Sequence, residues 1–303
     1  MEEDYAEIRT LFSQELSTMY KLEVPLYGGL LEAADQLERL HLDRHGATRL
    51  GSSEEMAIMA RFLRIMGMYP VGYYDLAQAA LPVHATCFRT LDMASLLENP
   101  SRLFVSLLRP SLLPDDMCDK AREVVSRRNI IDDRVLQLIE KAEKNALRLT
   151  RLEAADFITY GIATFKWHAS SVVSIEEYQS FASQASLLAD IVCFRGPHIN
   201  HLTPRMLDID RAQEMMKARE FPAKAVIEGF PRRKCPILLR KTSFKALEER
   251  INFIQADGSE GVVFCGPNAL RMKATNLGDR HTLQTAKHLR QVPVHEYYYQ
   301  TSY

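Results

Sequence analysis

Three things are scarce in this 303-residue chain, and each scarcity closes off a class of function. An excess of one charge is missing. Lysine and arginine total 38 against 39 acidic residues, a formal net charge of −1, which leaves no electrostatic case for a nucleic-acid or membrane partner. Long apolar runs are missing too: no stretch reaches the roughly 20 residues a spanning helix needs. The acidic opening Met1-Glu-Glu-Asp-Tyr5 has no apolar run behind it, so no secretory signal is read there. Cysteine is sparse and dispersed, at Cys87, Cys118, Cys193, Cys235 and Cys265, with no C-x-x-C pair. Such a set reads as reduced thiols of a cytoplasmic protein, not a disulfide framework or a zinc site. Oligomeric state is left open.

What is present is a succession of periodic segments. Residues 1–40 read as helical, with Phe12, Leu16, Met19 and Tyr20 and then Leu30, Leu31, Ala34, Leu37 and Leu40 at helical spacing, interrupted by Pro25 and Gly28-Gly29. A first module (41–112) follows in the order β-α-β-β-β. Arg44–Leu50 is a short strand, and Ser52-x-x-Glu55 opens a helix to about Met66, stopped by Gly67. Tyr69–Leu76, Val83–Leu91 and Leu103–Leu108 read as strands bounded by prolines. A helical insertion occupies 113–185. In it Val135, Leu138, Ile139 and Ala142 form one apolar stripe, and Phe157, Tyr160, Gly161, Ile162, Phe165 and Trp167 a second buried face. A second β-α-β-β-β module (186–265) starts from the apolar run Ile191–Phe194, read as a strand continuing to His201. A helix capped by Asp210 comes next, then strands at Ala225–Glu228, Ile237–Arg240 and Ile251–Ile254. A tail (266–303) has no periodicity.

One short pattern occurs at the start of both modules: His45-Gly-Ala-Thr-Arg49 and His201-Leu-Thr-Pro-Arg205. Positions i and i+4 of a strand share a face, so each copy presents an imidazole and a guanidinium to one side. A pseudo-twofold between the modules brings His45 and His201 together, two-thirds of a 2-His-1-carboxylate iron site. A single H-x-x-x-R is common by chance; its recurrence at the same place in two like-ordered modules is what gives it weight. His84, His168 and His198 read instead as hydrogen-bonded core residues. His198, three residues from His201, falls on the other face of a regular strand. Arg205 reads as an ion-pair partner, and Pro204 beside it suggests an edge or turn.

Longer motifs surround these residues. Met19-Tyr-Lys-Leu-Glu-Val-Pro-Leu-Tyr-Gly28, Arg44-His-Gly-Ala-Thr-Arg-Leu-Gly51, Gly67-Met-Tyr-Pro-Val-Gly-Tyr-Tyr-Asp75, Pro82-Val-His-Ala-Thr-Cys-Phe-Arg89 and Gly196-Pro-His-Ile-Asn-His-Leu-Thr-Pro-Arg205 are five of them. With the stretch from Pro236 to Glu249, the sequence over about 15–258 resembles the 2-oxoadipate dioxygenase/decarboxylase (2-hydroxyglutarate synthase) family of the vicinal-oxygen-chelate superfamily. The resemblance implies an α+β fold in which two β-α-β-β-β modules form a cupped sheet. It also implies an Fe(II) enzyme that takes 2-oxoadipate and O2 to 2-hydroxyglutarate and CO2, a step of lysine catabolism. His45 and His201 match the family's metal histidines, and Arg49 its substrate-holding arginine.

The residue types suit that chemistry. Two neutral imidazoles and one carboxylate leave open positions on iron, and a guanidinium pairs bidentately with a carboxylate. The Cα atoms of His45 and Arg49 lie about 13–14 Å apart on an extended strand, a span across which a six-carbon diacid and a long arginine can meet.

The resemblance also implies a third ligand, a glutamate ending a threonine-alanine-arginine-phenylalanine-glycine-glutamate run about a dozen residues past Asp257-Gly258. Here the chain reads Val262-Val-Phe-Cys-Gly-Pro-Asn-Ala-Leu-Arg-Met-Lys273, with no acid between Glu260 and Asp279. Glu260 substitutes only if the last strand slips its register. The expectation is weak activity at most, and two alternatives stand beside the dioxygenase: an inactive or truncated paralogue, and a divalent-metal isomerase or lyase of the same superfamily.

Overall fold

The structure, a computed structural model, describes residues 2–24, 28, 44–77, 81–204, 209–220, 249–254 and 260–265. Its first long element is α1 (Tyr5–Glu23), opened by a capping box in which Asp4 accepts from the backbone of Ala6 and Glu7. Strand β2 (Arg44–Leu50) leads into α2 (Ser53–Ile65), then β3 (Tyr69–Asp75), β4 (Val83–Arg89), a short α3 (Met93–Glu98) and β5 (Arg102–Leu108). Apart from the short α3 between β4 and β5, this is the β-α-β-β-β order expected of the first module. Gly67 stops α2 at φ +65°, a conformation costly for residues with a Cβ.

The helical stretch resolves into α4 (Asp115–Ser126), α5 (Asp133–Lys144), α6 (Arg151–Ala163) and α7 (Ile175–Gln184). Short strands β1 (Glu2–Glu3) and β6 (Leu149–Thr150) pair antiparallel. Then come α8 (Ser186–Val192), β7 (His201–Pro204), α9 (Ile209–Ala218) and the hairpin of β8 (Glu249–Ile254) with β9 (Glu260–Cys265). The expected strands at 225–228 and 237–240, the second half of the N-terminal helical segment and the tail lie outside the described residues.

The sheet runs β3-β4-β5-β2-β7, with β2 and β5 parallel and the other neighbours antiparallel. Its two faces differ sharply along β2. Gly46, Thr48 and Leu50 are buried while Ala47 and Arg49 are only partly so. Leu50, Phe88, Leu103 and Val105 pack with α1, α2, α5 and α6 into the larger core. There Phe62 stacks on Phe157 at 4.7 Å, with Phe12 edge-on to Phe62 and Phe165. A Cβ on Gly161 would come within 2.7 Å of the Phe62 ring, so only glycine lets α6 approach this closely. A second core gathers α4, α7 and α8 with Ile251 and Phe253 of β8.

Two readings need correction. Ile191–Phe194 is not a strand: residues 186–192 form α8, and Leu187 to Val192 are all buried. An apolar run without alternation reads equally as buried strand or buried helix. Tyr160, placed on the buried face of α6, is 44% exposed, because the helix buries Phe157, Ile158, Gly161 and Ile162 instead.

Candidate metal and substrate site

The two histidine-bearing segments are adjacent strands. β2 pairs antiparallel with β7 so that Ala47 faces His201 and His45 faces Thr203. Directly paired residues share a face, so positions 45 and 201 are diagonal neighbours on one side of the sheet, a separation of about 7–8 Å. That side is the one away from the larger core; Val83 and Leu108, on the same side, pack with α4, α7 and α8 in the second core. His201 is buried, and Pro204 pairs with Arg44 at the end of β7, which is an edge strand of this sheet among the described residues. Position 49 is on the same face as 45, as the i, i+4 spacing requires. Arg205 lies outside the described residues.

The Arg49 guanidinium does not stand alone. Its Nη1 donates to Oδ2 of Asp190, a carboxylate with a side chain only 1% exposed. Asn200 Nδ2 donates to the same oxygen at 3.2 Å, and His198 Nε2 lies 3.3 Å from Oδ1. Asn200 and His198 also touch each other at 3.0 Å, and Thr48 donates to the His198 carbonyl. Burial by itself pushes the Asp190 carboxyl up; the charges and hydrogen bonds of Arg49 and His198 outweigh it and hold the group below the usual carboxylate range. His198 is thus the hydrogen-bonded core residue expected, although it precedes β7 and is not within a strand. His84 and His168 are only partly buried, and partial burial, with Arg109 near one and Arg195 near the other, lowers the basicity of each ring.

A second buried pair braces this arrangement. Arg128 donates through Nε and Nη2 to both oxygens of Glu55, and its Nη1 donates to the carbonyls of Ile191 and Phe194. Glu55 Oε2 in turn accepts the amide of Gly51, the residue after β2. Ser52 accepts from the Glu55 amide as a cap should, but the Glu55 carboxylate is spent on Gly51 and Arg128 rather than on closing a capping box. On the same face of the sheet as Arg49, burial raises the Cys87 thiol to about 11, so it is no nucleophile near neutral pH.

Among the described residues no group of three His, Cys, Asp or Glu side chains is placed to hold a metal. The stretch expected to carry a third ligand lies outside them from Gly266 onward. Sequence reasoning missed Asp190 and Asn200. The signal was a lone acid in the apolar run Leu187-Leu-Ala-Asp-Ile-Val-Cys193, since a charge inside a buried segment demands a partner.

The sequence profile of the 2-oxoadipate dioxygenase/decarboxylase family matches residues 12–267. The chain belongs to that family. The 2-oxoadipate dioxygenase/decarboxylase of Escherichia coli is 47% identical over 269 residues, 82% of this chain and 60% of the relative. That of Pseudomonas putida is 45% identical over 276 residues, 84% and 59% of the two chains. The chain therefore spans about 60% of the length of these curated relatives. The crystal structure of hydroxyglutarate synthase from Pseudomonas putida in complex with 2-oxoadipate superposes with a TM-score of 0.80 at 43% identity, covering 87% of this chain and 63% of that one. A putative glyoxalase superfamily protein from Ralstonia eutropha, 20% identical with a TM-score of 0.63, shares the fold alone. The profile match ends at 267, beside the point where periodicity is lost. No helix among the described residues is long and apolar enough to cross a membrane.

Proposed function

We propose that the chain carries the 2-oxo acid site of an Fe(II)-dependent 2-oxoadipate dioxygenase/decarboxylase. The observation that carries this reading is the pairing of β2 with β7, which sets positions 45 and 201 diagonally on one face with Arg49 beside them. Family membership supports it, as does the 2-oxoadipate complex of a relative.

His45 and His201 are the proposed metal ligands. Their nitrogen donors suit iron as two of three protein ligands; the family's carboxylate has no counterpart among the described residues, where Asp190 is already engaged by Arg49. Iron, when bound, supplies the site at which the 2-oxo acid end is held and O2 is activated. The chain's own residues do the rest. Arg49 takes the distal carboxylate through its fork of N–H donors, which orients the diacid. The overall change converts a six-carbon 2-oxo diacid and O2 into the five-carbon 2-hydroxy diacid and CO2; the CO2 leaves with the two oxygens of the substrate's own carboxylate, and both atoms of O2 end in the hydroxy diacid.

The test is oxygen uptake by the 303-residue chain, loaded anaerobically with Fe(II) and given 2-oxoadipate. Consumption of O2 with release of CO2 and 2-hydroxyglutarate is expected, at a rate limited by the missing glutamate. Product formed without O2 would point to an isomerase or lyase. A chain that binds no metal and turns nothing over would be a non-catalytic paralogue.

A further inference from the structure

We infer that Asp190 is the positioning residue of the site: it fixes the Arg49 guanidinium on the face of the sheet that carries positions 45 and 201, and thereby sets the preference for a ligand with a second carboxylate. The inference rests on the reading above, in which Arg49 takes that carboxylate.

Asp190 sits in α8 among Leu188, Ala189, Ile191 and Val192, all buried. An ionised carboxylate persists there only if a cation is paired with it. Its Oδ2 accepts from Arg49 Nη1 and Asn200 Nδ2, while Oδ1 makes no hydrogen bond and has His198 Nε2 at 3.3 Å; of the three neighbours Arg49 alone carries a permanent charge. The guanidinium has five N–H donors, and Asp190 takes one at Nη1. The rest of the fork is then held in one orientation and is able to meet a second carboxylate. An arginine side chain otherwise loses much rotamer freedom on binding; holding it beforehand removes that cost from the binding step.

Both ends of the pair are themselves tied. Gly51, which follows β2, donates to Glu55; Glu55 holds Arg128; Arg128 caps the carbonyls of Ile191 and Phe194 at the end of α8. The strand bearing Arg49 and the helix bearing Asp190 are thus linked by a second route, and the pair has little room to drift. A carboxylate present only to neutralise a buried charge would not need this brace.

The test uses the full chain, Fe(II)-loaded and kept free of O2 so that ligands bind without turnover. Calorimetric titration compares 2-oxoadipate with 2-oxohexanoate, which has the same length and one carboxylate, for wild type, D190N, R49Q and the double variant. The expected result is a diacid preference in wild type that falls about tenfold in D190N, with 2-oxohexanoate affinity changed by less than about twofold. In the R49Q background D190N should change nothing further, which a merely structural role would not produce. An unchanged preference in folded D190N, or losses from the two single variants that multiply in the double, would overturn the inference. If D190N does not fold, D190E keeps the charge but lengthens the arm, and an intact preference there overturns it equally. A wild type without any diacid preference would overturn the substrate reading of Arg49 as well, which separates the two failures. With no metal bound, nitrogen-15 spectra supply a second readout. Slow guanidinium rotation of Arg49 is expected in wild type and lost in D190N; free rotation in wild type contradicts the inference.

Discussion

His198 and His201 are three residues apart and buried to a similar degree, yet their surroundings differ. His198 is committed to Asp190 and Asn200, and its carbonyl accepts from Thr48. His201 opens β7 opposite Ala47, two residues along the register from the pairing of Thr203 with His45. We expect His45→Ala and His201→Ala each to abolish iron retention, measured as metal per chain after gel filtration. His198→Ala should keep its iron while losing about 1–3 kcal/mol of stability, the cost of leaving buried polar groups without a partner. Stoichiometric iron in either of the first two variants would remove the ligand assignment. The hydrogen-bonded setting of His198 was read from the sequence on the assumption of a regular strand, which begins only at His201. The commitment of Arg49 to Asp190 was not, because its two members are far apart in the chain and neither belongs to a shared motif.

At the scale of elements, α6 shows how local chemistry fixes a boundary. Thr150 accepts from the Glu153 amide, and Glu153 returns a bond to the Thr150 amide, a complete capping box. Lys141 of α5 also donates to Glu153, and this bond, ahead of the Thr150 amide, lowers the Glu153 carboxyl to about 2. Its ordinary value is 4.5, so the stabilisation is fully present above that pH and is lost as pH falls from 4.5 through about 2. Because Lys141 is largely exposed, the solvent-screened contribution at neutral pH is about 1 kcal/mol or less. Glu153→Gln should therefore lower the urea midpoint at pH 7 and converge on wild type as the pH approaches 2. A gap that persists undiminished at acid pH would assign the effect to packing. The cap of α2 was readable as the short polar-to-acidic spacing from Ser52 to Glu55; the caps of α1 and α6 follow the same spacing. The helix at 186–192 was not, because it is buried along most of its length and carries no period.

At the scale of the whole molecule, the larger helical core covers one face of the five-stranded sheet, and the second core packs against part of the face that carries positions 45, 49 and 201. A second core ties α8, and with it Asp190, to α4, α7 and β8. Phe253 of β8 meets Tyr178 of α7, so the closing hairpin is packed directly onto the framework behind the site. The sequence between Glu260 and Asp279 has no acid to serve as the family's third ligand. We therefore expect iron to leave this chain faster than it leaves the relative from Pseudomonas putida when both are challenged with the same chelator, followed by metal analysis. Equal retention would mean that another residue of this chain completes the site.

The sequence by itself determined the order of elements in the first module, the helical stretch after it, the stop at Gly67 and the pairing of like motifs at 45–49 and 201–205. Each of these rests on interactions between residues close in the chain: caps, turn glycines, and the alternation of apolar and polar positions. Only the tertiary structure decided that the run at 191–194 ends a helix, that β2 and β7 are neighbours in a register setting 45 and 201 on one face, and that Arg49 is held by Asp190. Those outcomes depend on which buried group must satisfy which. A buried carboxylate takes the nearest cation that folding brings to it, and in Arg49 that cation comes from a strand more than a hundred residues earlier.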